Sequence, residues 1–346
     1  MYKYTHFIKE NIAPVGAERI AIYDSTGKKV CDIPLGRLKP PAQTKKYSFL
    51  AVSDVHVQYD TATADLQRAL AYAENNCDFT CICGDLTQSG TDAHLTQYKN
   101  IASAYTKPIY AVGGNHDSIP EDQTSSRITQ YTGRPMYYSF EQGNDVFIML
   151  SHYGKYEGDG IGWLSSKFVS VEELQWLYET LEANRNKRCF IFNHVYPYED
   201  GVGDANRYYN GKYWRTADGG VGQAFISLLK HYKNTILFHG HSHLRFHLQE
   251  VDKKANYSEE VGYRSVHIPS LAVPRDRVNG STEYIYAESE GYIVDVYDNY
   301  IILNGRDFID NNADGHILPI ATYKIDTTLQ TIAPNTFTDS TGTITT

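Results

Sequence analysis

Polar residues recur at a fixed interval where apolar runs end, and that interval constrains the fold of this 346-residue chain more than any other feature. The run 47–53 leads into Asp54-Val55-His56, the run 79–83 into Gly84-Asp85, and the run 108–112 into Gly113-Gly114-Asn115-His116-Asp117. Asp54 and Asp85 lie 31 residues apart, and Asp85 and Asn115 lie 30 apart. Each gap has the length of one strand–helix–strand crossover. The text between agrees: residues 61–75 place Ala62, Leu66, Ala69, Leu70 and Ala73 on one helical face, and residues 92–104 do so with Leu95, Tyr98 and Ile101. Right-handed crossovers make the strands parallel, so the three polar loops leave one carboxyl edge. Open α/β sheets hold their sites at that edge.

The alternation continues. Residues 146–150 read as a strand, and Ser170 caps a helix with Glu173 completing a capping box and Val171, Leu174, Leu177 and Leu181 facing inward. A strand at 188–192 ends at Asn193-His194, a helix covers 222–232, and a strand at 235–238 ends at His239-Gly240-His241-Ser242-His243. After residue 262 only strands are predicted, at 264–268, 284–287, 292–297 and 300–303. Alternation followed by strands predicts an α/β layered sandwich with mixed sheets. Residues 1–46 read as a β-rich extension and linker, with a hairpin signal at Ser25-Thr26-Gly27 and a linker at Lys39-Pro40-Pro41-Ala42. Residues 47–332 form the main domain, with a strand-rich part at 263–332, and 333–346 read as a flexible tail.

Composition narrows the function. Lys and Arg number 32 against 41 Asp and Glu, a net charge of −9 without a basic block, which argues against a nucleic-acid partner. Five cysteines are an odd number and speak against a disulfide framework. Cys81 and Cys83 read as a buried thiol pair on one face of a strand. No window approaches the ~18 apolar residues of a membrane span, and Met1-Tyr2-Lys3-Tyr4 starts no signal-peptide run. The expectation is a soluble, cytoplasmic protein with no membrane partner.

The strand ends collect two carboxylates (Asp54, Asp85), one amide (Asn115) and four histidines (His56, His194, His241, His243) besides His116. Carboxylates mixed with imidazoles suit Mn²⁺, Fe or Zn²⁺ better than Ca²⁺. Seven ligands exceed what one tetrahedral ion takes and suffice for two ions sharing a carboxylate, an arrangement suited to a phosphoryl centre. In order and near these spacings, DVH, GD, GGNHD, a lone His and GHSH resemble the signature of the calcineurin-like metallophosphoesterases across 54–243. The helix text EELQWLYETL resembles the family as well. The resemblance implies a four-layer αββα sandwich whose catalytic domain is 47–332. It also implies one metal on Asp54, His56 and His243, another on Asn115, His194 and His241, and Asp85 bridging both. His116 then stands over the metals as a catalytic group, with Asp117 tuning its orientation. His194-Val195-Tyr196-Pro197 departs from the HxP of many members.

The expected function is a dinuclear metal-dependent phosphoesterase acting on a small phosphodiester or phosphomonoester, nucleotide types among them. A hydroxide bridging the metals attacks phosphorus in line, and His116 protonates the leaving oxygen. For substrate binding the candidates are Arg207, Lys212 and Arg215, in a long aromatic-containing loop at 204–220. Pro274-Arg275-Asp276-Arg277 is a second candidate clamp, weighed against a salt-bridged turn, and His239 and His152 are candidate supports of the ligands. Two alternatives stand beside this. A nuclease would use the same centre but needs a basic track, and only 207–215 offers one. A scaffold on a phosphoesterase fold would use residues 1–46 for a protein contact or dimerisation.

Overall fold

The structure, a computed structural model, describes residues 19–23, 29–34, 43–58, 61–117, 126–151, 169–195, 221–247, 256–278, 281–309, 316–332, 337–339 and 342–344. Two compact units divide the chain at Thr44/Lys45. In the first, β1 (Arg19–Tyr23) pairs antiparallel with β2 (Lys29–Pro34).

The second unit begins with β3 (Tyr47–Val52), α1 (Ala62–Asn76), β4 (Phe79–Cys83), α2 (Asp92–Ala102) and β5 (Ile109–Val112). Next come α3 (Ser126–Thr132), β6 (Tyr138–Gln142), β7 (Asp145–Leu150), α4 (Val171–Ala183), β8 (Cys189–Asn193), α5 (Val221–His231) and β9 (Thr235–His239). The rest is strand: β10 (Tyr257–Ser258), β11 (Arg264–His267), β12 (Arg275–Val278), β13 (Ser281–Tyr284), β14 (Glu290–Val296), β15 (Tyr300–Asp307) and β16 (His316–Asp326). Within 333–346, β17 (Phe337–Asp339) pairs with β18 (Gly342–Ile344).

Two six-stranded mixed sheets result, in the orders β16-β15-β14-β3-β4-β5 and β10-β11-β9-β8-β7-β6. The predicted crossovers give β3, β4 and β5 in parallel, and likewise β7, β8 and β9. The late strands extend both sheets: β14 to β16 join the first antiparallel, and β11 joins β9 in parallel.

Alternation along each strand explains the layering. Phe49 and Ala51 of β3 pack with Phe147, Phe190, Phe192 and Phe238 between the two sheets, while Leu50 and Val52 pack on Leu66, Ala69 and Leu95 of α1 and α2. On the far side, Val146, Ile148 and Ile191 meet Leu177, Leu181, Phe225 and Leu229 of α4 and α5. The order is therefore helix, sheet, sheet, helix, with strands buried on both faces. Aromatic rings fill the middle; Phe49 and Phe147 meet edge to face at 5.2 Å, and Phe192 and Phe238 stack at 4.9 Å. Cys81 and Cys83 lie in this layer, their thiols pushed well above the ordinary range by burial.

Some expectations shift. Val171 is 65% exposed, because it opens the first turn of α4 well off the Leu177–Leu181 face, and Glu173 is buried instead. The strand expected at 284–287 ends at Tyr284. The strands β6, β12 and β16, absent from the sequence-based reading, are mostly edge or paired-ribbon strands with mixed polarity. Among the described residues no helix is long and apolar enough to cross a membrane.

Candidate metal centre

The loops after β3, β4, β5, β8 and β9 converge where the carboxyl edges of the two sheets meet, and the backbone there is bent. Asp54 (φ 52°), His56 (47°), Asp85 (49°), His241 (73°) and His243 (62°) all adopt left-handed conformations. For a non-glycine residue that costs on the order of 1–3 kcal/mol, tolerated where surrounding structure enforces it. Here the loops enforce one another: Asp54 N–H donates to Gly84 O (3.1 Å), His56 N–H to Asp85 O (2.9 Å) and Gly240 N–H to His194 O (3.0 Å). Two glycines permit the approach. At Gly84 (φ +85°) a Cβ would stand 2.5 Å from His194 Cγ, and at Gly240 one would stand 1.9 Å from Ser53 Oγ.

Each carboxylate uses one oxygen for the backbone and turns the other inward. Asp54 Oδ2 accepts from His241 N–H (2.9 Å), and Asp85 Oδ1 accepts from His116 N–H (2.8 Å). Asp54 Oδ1, Asp85 Oδ2 and His194 Nε2 are buried without a hydrogen-bond partner. They face ligand atoms instead: Asp54 Oδ1 is 3.0 Å from His243 Nε2, and Asp85 Oδ2 is 3.1 Å from His194 Nε2 and 3.5 Å from His56 Nε2. His56 Nε2 and His243 Nε2 are 3.0 Å apart. The outer nitrogens decide which atoms point inward as lone pairs. His194 Nδ1 lies 2.7 Å from Cys83 O and His243 Nδ1 lies 3.2 Å from Val273 O. A carbonyl only accepts, so Nδ1 carries the proton and the neutral ring offers its Nε2 lone pair to the centre. Electron-rich atoms so crowded repel unless a cation lies among them.

Two overlapping groups could hold such cations: Asp54, His56, Asp85 and His243 in one, Asp85, His194 and His241 in the other, each with ligand atoms within 4.8 Å of one another. Asp85 belongs to both. Asn115 opens the single turn Asn115–Asp117 directly before His116, with its Oδ1 buried. The donor set of carboxylates and imidazoles fits a transition metal or zinc.

Charge distribution agrees. Burial raises Asp54 and Asp85, yet His243 and His194 beside Asp54, and His194 and His116 beside Asp85, hold both well below the usual carboxylate range. Burial lowers His194, but Asp85 and Asp54 more than offset it and lift the ring to about 9. A positive charge is needed between these carboxylates, and a proton on His194 supplies it when no metal does. His243 goes the other way, to about 4, through burial, partly countered by Asp54 and reinforced by Arg275.

His116 stands outside both groups, its ring edge-to-face with His56 at 4.9 Å. Its Nδ1 lies 2.8 Å from Gln88 O, so that nitrogen is the donor and Nε2 is the atom left to exchange a proton. Burial pushes His116 down, with Asp85 opposing. Asp117 reaches it through the backbone. Asp117 Oδ2 accepts from Leu86 N–H and Gly114 N–H, both at 2.9 Å, and Oδ1 accepts from Thr87 N–H (2.9 Å) and Thr87 Oγ1 (3.0 Å). The carboxylate thus clamps residues 86–87, and the next residue supplies the carbonyl that holds the imidazole.

His239 belongs to neither ligand group; its ring faces that of His267 at 5.6 Å. His267 was missed. Its Nε2 lies 2.8 Å from Ser242 Oγ, between the two histidines of GHSH, and only the β9–β11 pairing brings it there. Glu173 was seen only as a cap, yet it also takes Ser151 N–H (2.9 Å), and Ser151 Oγ takes Gly113 N–H (3.1 Å) at the start of GGNHD. A further group of His247, Glu288 and Glu290 is served by Arg245, which pairs with Glu288 and, at 2.8 Å, with Asp276. Arg207, Lys212, Arg215 and His152 lie outside the described residues.

A family model described as calcineurin-like phosphoesterase matches residues 47–245, more than half of the chain and every motif block. The chain belongs to the calcineurin-like phosphoesterases. A curated relative, the probable glycerophosphodiester phosphodiesterase GpdQ of Arcobacter nitrofigilis, is 23% identical over 170 residues, which span 44% of this chain and 58% of that protein. Among solved structures, GAP50, the anchor in the inner membrane complex of Plasmodium, superposes with a TM-score of 0.51 at 12% identity, covering 83% of this chain and 90% of its own. A phosphoesterase-like protein of Streptococcus pneumoniae gives 0.38 at 13% identity, covering 82% and 99%. These structural likenesses concern the fold alone.

Proposed function

We propose that the protein is a dinuclear metal-dependent phosphoesterase hydrolysing a small phosphodiester or phosphomonoester. The observation that carries the proposal is Asp85, whose inward oxygen has no hydrogen bond and is shared by two ligand groups. Asp54, His56 and His243 would hold one ion, Asn115, His194 and His241 the other, and Asp85 both, with Mn²⁺, Fe or Zn²⁺ suited to the donors. Bound cations of this kind supply Lewis acidity to the phosphoryl oxygens and an activated water. The similarity to a probable glycerophosphodiester phosphodiesterase supports a diester as the first substrate to try.

The chain's own residues do the rest. Val55, Val57, Leu271, Ala272 and Val273 are fully buried around the Asp54 loop and keep water from its back. Charge effects inside are strengthened accordingly. His116, with Nδ1 anchored on Gln88 O, would turn its Nε2 to the ester. An incoming phosphate anion raises its proton affinity, so the imidazole arrives protonated and passes that proton to the leaving alkoxide.

The test is metal analysis followed by hydrolysis of aryl and alkyl phosphodiesters and monoesters. His116→Ala should keep both metals while losing about 10²–10⁴ in kcat, most for alkyl leaving groups, which need the proton. Equal losses for all leaving groups, or loss of a metal, would refute the acid assignment. A metal-loaded wild type that cleaves none of these esters would leave a binding role for the fold.

A further inference from the structure

The β12–β13 ribbon lies beside the candidate centre. The segment leading into it runs along the Asp54 and His243 loops: Leu271 N–H donates to Ser53 O (2.9 Å), and Val273 O lies against His243 Nδ1 (3.2 Å). Arg275 N–H then donates to His243 O (2.7 Å), and Arg245 N–H donates to Arg275 O (3.1 Å). Arg275 is therefore fixed to the last ligand loop.

The Arg275 guanidinium has no carboxylate partner among the described residues, and its Nε is buried without a hydrogen bond. The neighbouring acids are committed elsewhere, since Asp276 and Glu288 both pair with Arg245. What Arg275 does have is a flat face: its Cζ stands 5.0 Å from the centre of the Tyr284 ring, across the ribbon at the paired register position. Tyr284 continues into Tyr286, the two rings nearly parallel at 27° with centroids 6.0 Å apart. Both are exposed, by 47% and 51%, although tyrosines are otherwise used heavily in this core.

An arginine fork with no carboxylate partner among the described residues, next to a candidate metal centre, is suited to the non-bridging oxygens of a phosphate. A pair of parallel exposed aromatic faces beyond it is suited to stacking a planar group, as bases stack on tyrosines. A glycerol arm offers nothing to stack. We propose that Arg275, Tyr284 and Tyr286 form the substrate subsite of this chain and that it selects phosphate esters carrying a nucleoside arm. The proposal rests on the phosphoesterase reading for its reaction but not for its binding. Arg275 grips the phosphate, and the tyrosines grip the base.

Two esters with one leaving group isolate the arm: thymidine p-nitrophenyl phosphate and methyl p-nitrophenyl phosphate. The wild type should prefer the thymidine ester in kcat/KM. Tyr284→Ala combined with Tyr286→Ala should cut that preference about tenfold, the scale of one base–aromatic stack; the methyl ester should lose less, through the support Tyr284 gives Arg275. Arg275→Ala should raise KM for both esters about 10–100-fold with metal content unchanged, and Arg275→Lys should restore little of it. Tyr284→Phe, which keeps the ring, should retain the preference and controls for folding.

Calorimetric binding of thymidine monophosphate to the manganese-loaded protein gives a readout without turnover, and both alanine variants should bind about tenfold more weakly. If both esters are cleaved but preference, KM and nucleotide affinity match wild type in every variant, the subsite is wrong and the phosphoesterase reading stands. If neither ester is cleaved while nucleotide binding depends on Arg275 and the tyrosines, the subsite stands and the reaction assignment falls.

Discussion

Asp117→Asn separates a clamp on the backbone from a partner of the imidazole. The wild-type carboxylate accepts four hydrogen bonds, from Leu86 N–H, Gly114 N–H, Thr87 N–H and the Thr87 hydroxyl. Asparagine keeps one acceptor oxygen. Placed at the Oδ2 position, it still serves Leu86 and Gly114, and its amide nitrogen then faces Thr87. The Thr87 hydroxyl, which already accepts from Gly90 N–H at 2.9 Å, can turn to accept again. One buried donor, Thr87 N–H, is left unsatisfied, at a cost of about 1–3 kcal/mol. Urea unfolding should read that cost as a lower midpoint with an unchanged slope. Because Gln88 follows Thr87, the same relaxation shifts the carbonyl that orients His116. The alkyl-ester kcat should therefore fall about tenfold, less than for His116→Ala, with both metals retained. A variant as stable as wild type that nevertheless matches His116→Ala in its losses would refute the clamp and point to direct contact between Asp117 and the ring. A destabilised variant with wild-type kcat would show that residues 86–88 do not transmit the change.

Asp85→Asn weakens the one side chain common to both ligand groups, so elemental analysis should find both ions depleted; full occupancy of either site would remove the bridging role. Glu173, buried and raised by desolvation to about 8 from an ordinary 4.5, should make stability pH-dependent. A raised acid keeps its stabilising contribution below its unfolded value and loses it as pH rises towards the folded one. Relative to Glu173→Gln, the wild type should lose on the order of 1.4 kcal/mol per pH unit across that window; a difference in urea unfolding that does not change with pH would refute this.

The candidate centre was legible in sequence because its parts are local. Each ligand sits within a few residues of a strand end, and the 30- and 31-residue intervals tie those ends to one edge. The helices with strong apolar faces were legible for the same reason, with ends shifted by a residue or two. What stayed hidden depends on contacts far along the chain. His267 reaches Ser242 only through parallel pairing of β11 with β9. Glu173 looked like a completed cap, and nothing local shows that its carboxylate continues through Ser151 to Gly113. Arg275 stood in a basic, proline-led run whose value turned on a distant fact, the commitment of Asp276 to Arg245. Local grammar names the candidate ligands, whereas their supports are assembled by topology.

Metal bound at the candidate centre should also stabilise the fold. Five candidate ligand residues hold left-handed backbones, each costing on the order of 1–3 kcal/mol. Three buried polar atoms beside them lack hydrogen bonds. The loops hold one another through backbone bonds such as Asp54 N–H to Gly84 O and Gly240 N–H to His194 O, and bound cations should add to that by neutralising the crowded ligand atoms. A ligand present at a hundred times its dissociation constant adds about 2.7 kcal/mol per site, so two saturated sites should add about 5 kcal/mol over the metal-stripped protein. Urea unfolding with and without chelator measures the difference. Hydrogen exchange should locate it: chelation should loosen residues 53–57, 84–88 and 240–244, whereas the Phe49–Phe147–Phe192 layer, fully buried between the sheets, should keep its protection. Identical midpoints with and without bound metal would mean that the strained loops are held by the fold alone, and the added stabilisation would be refuted.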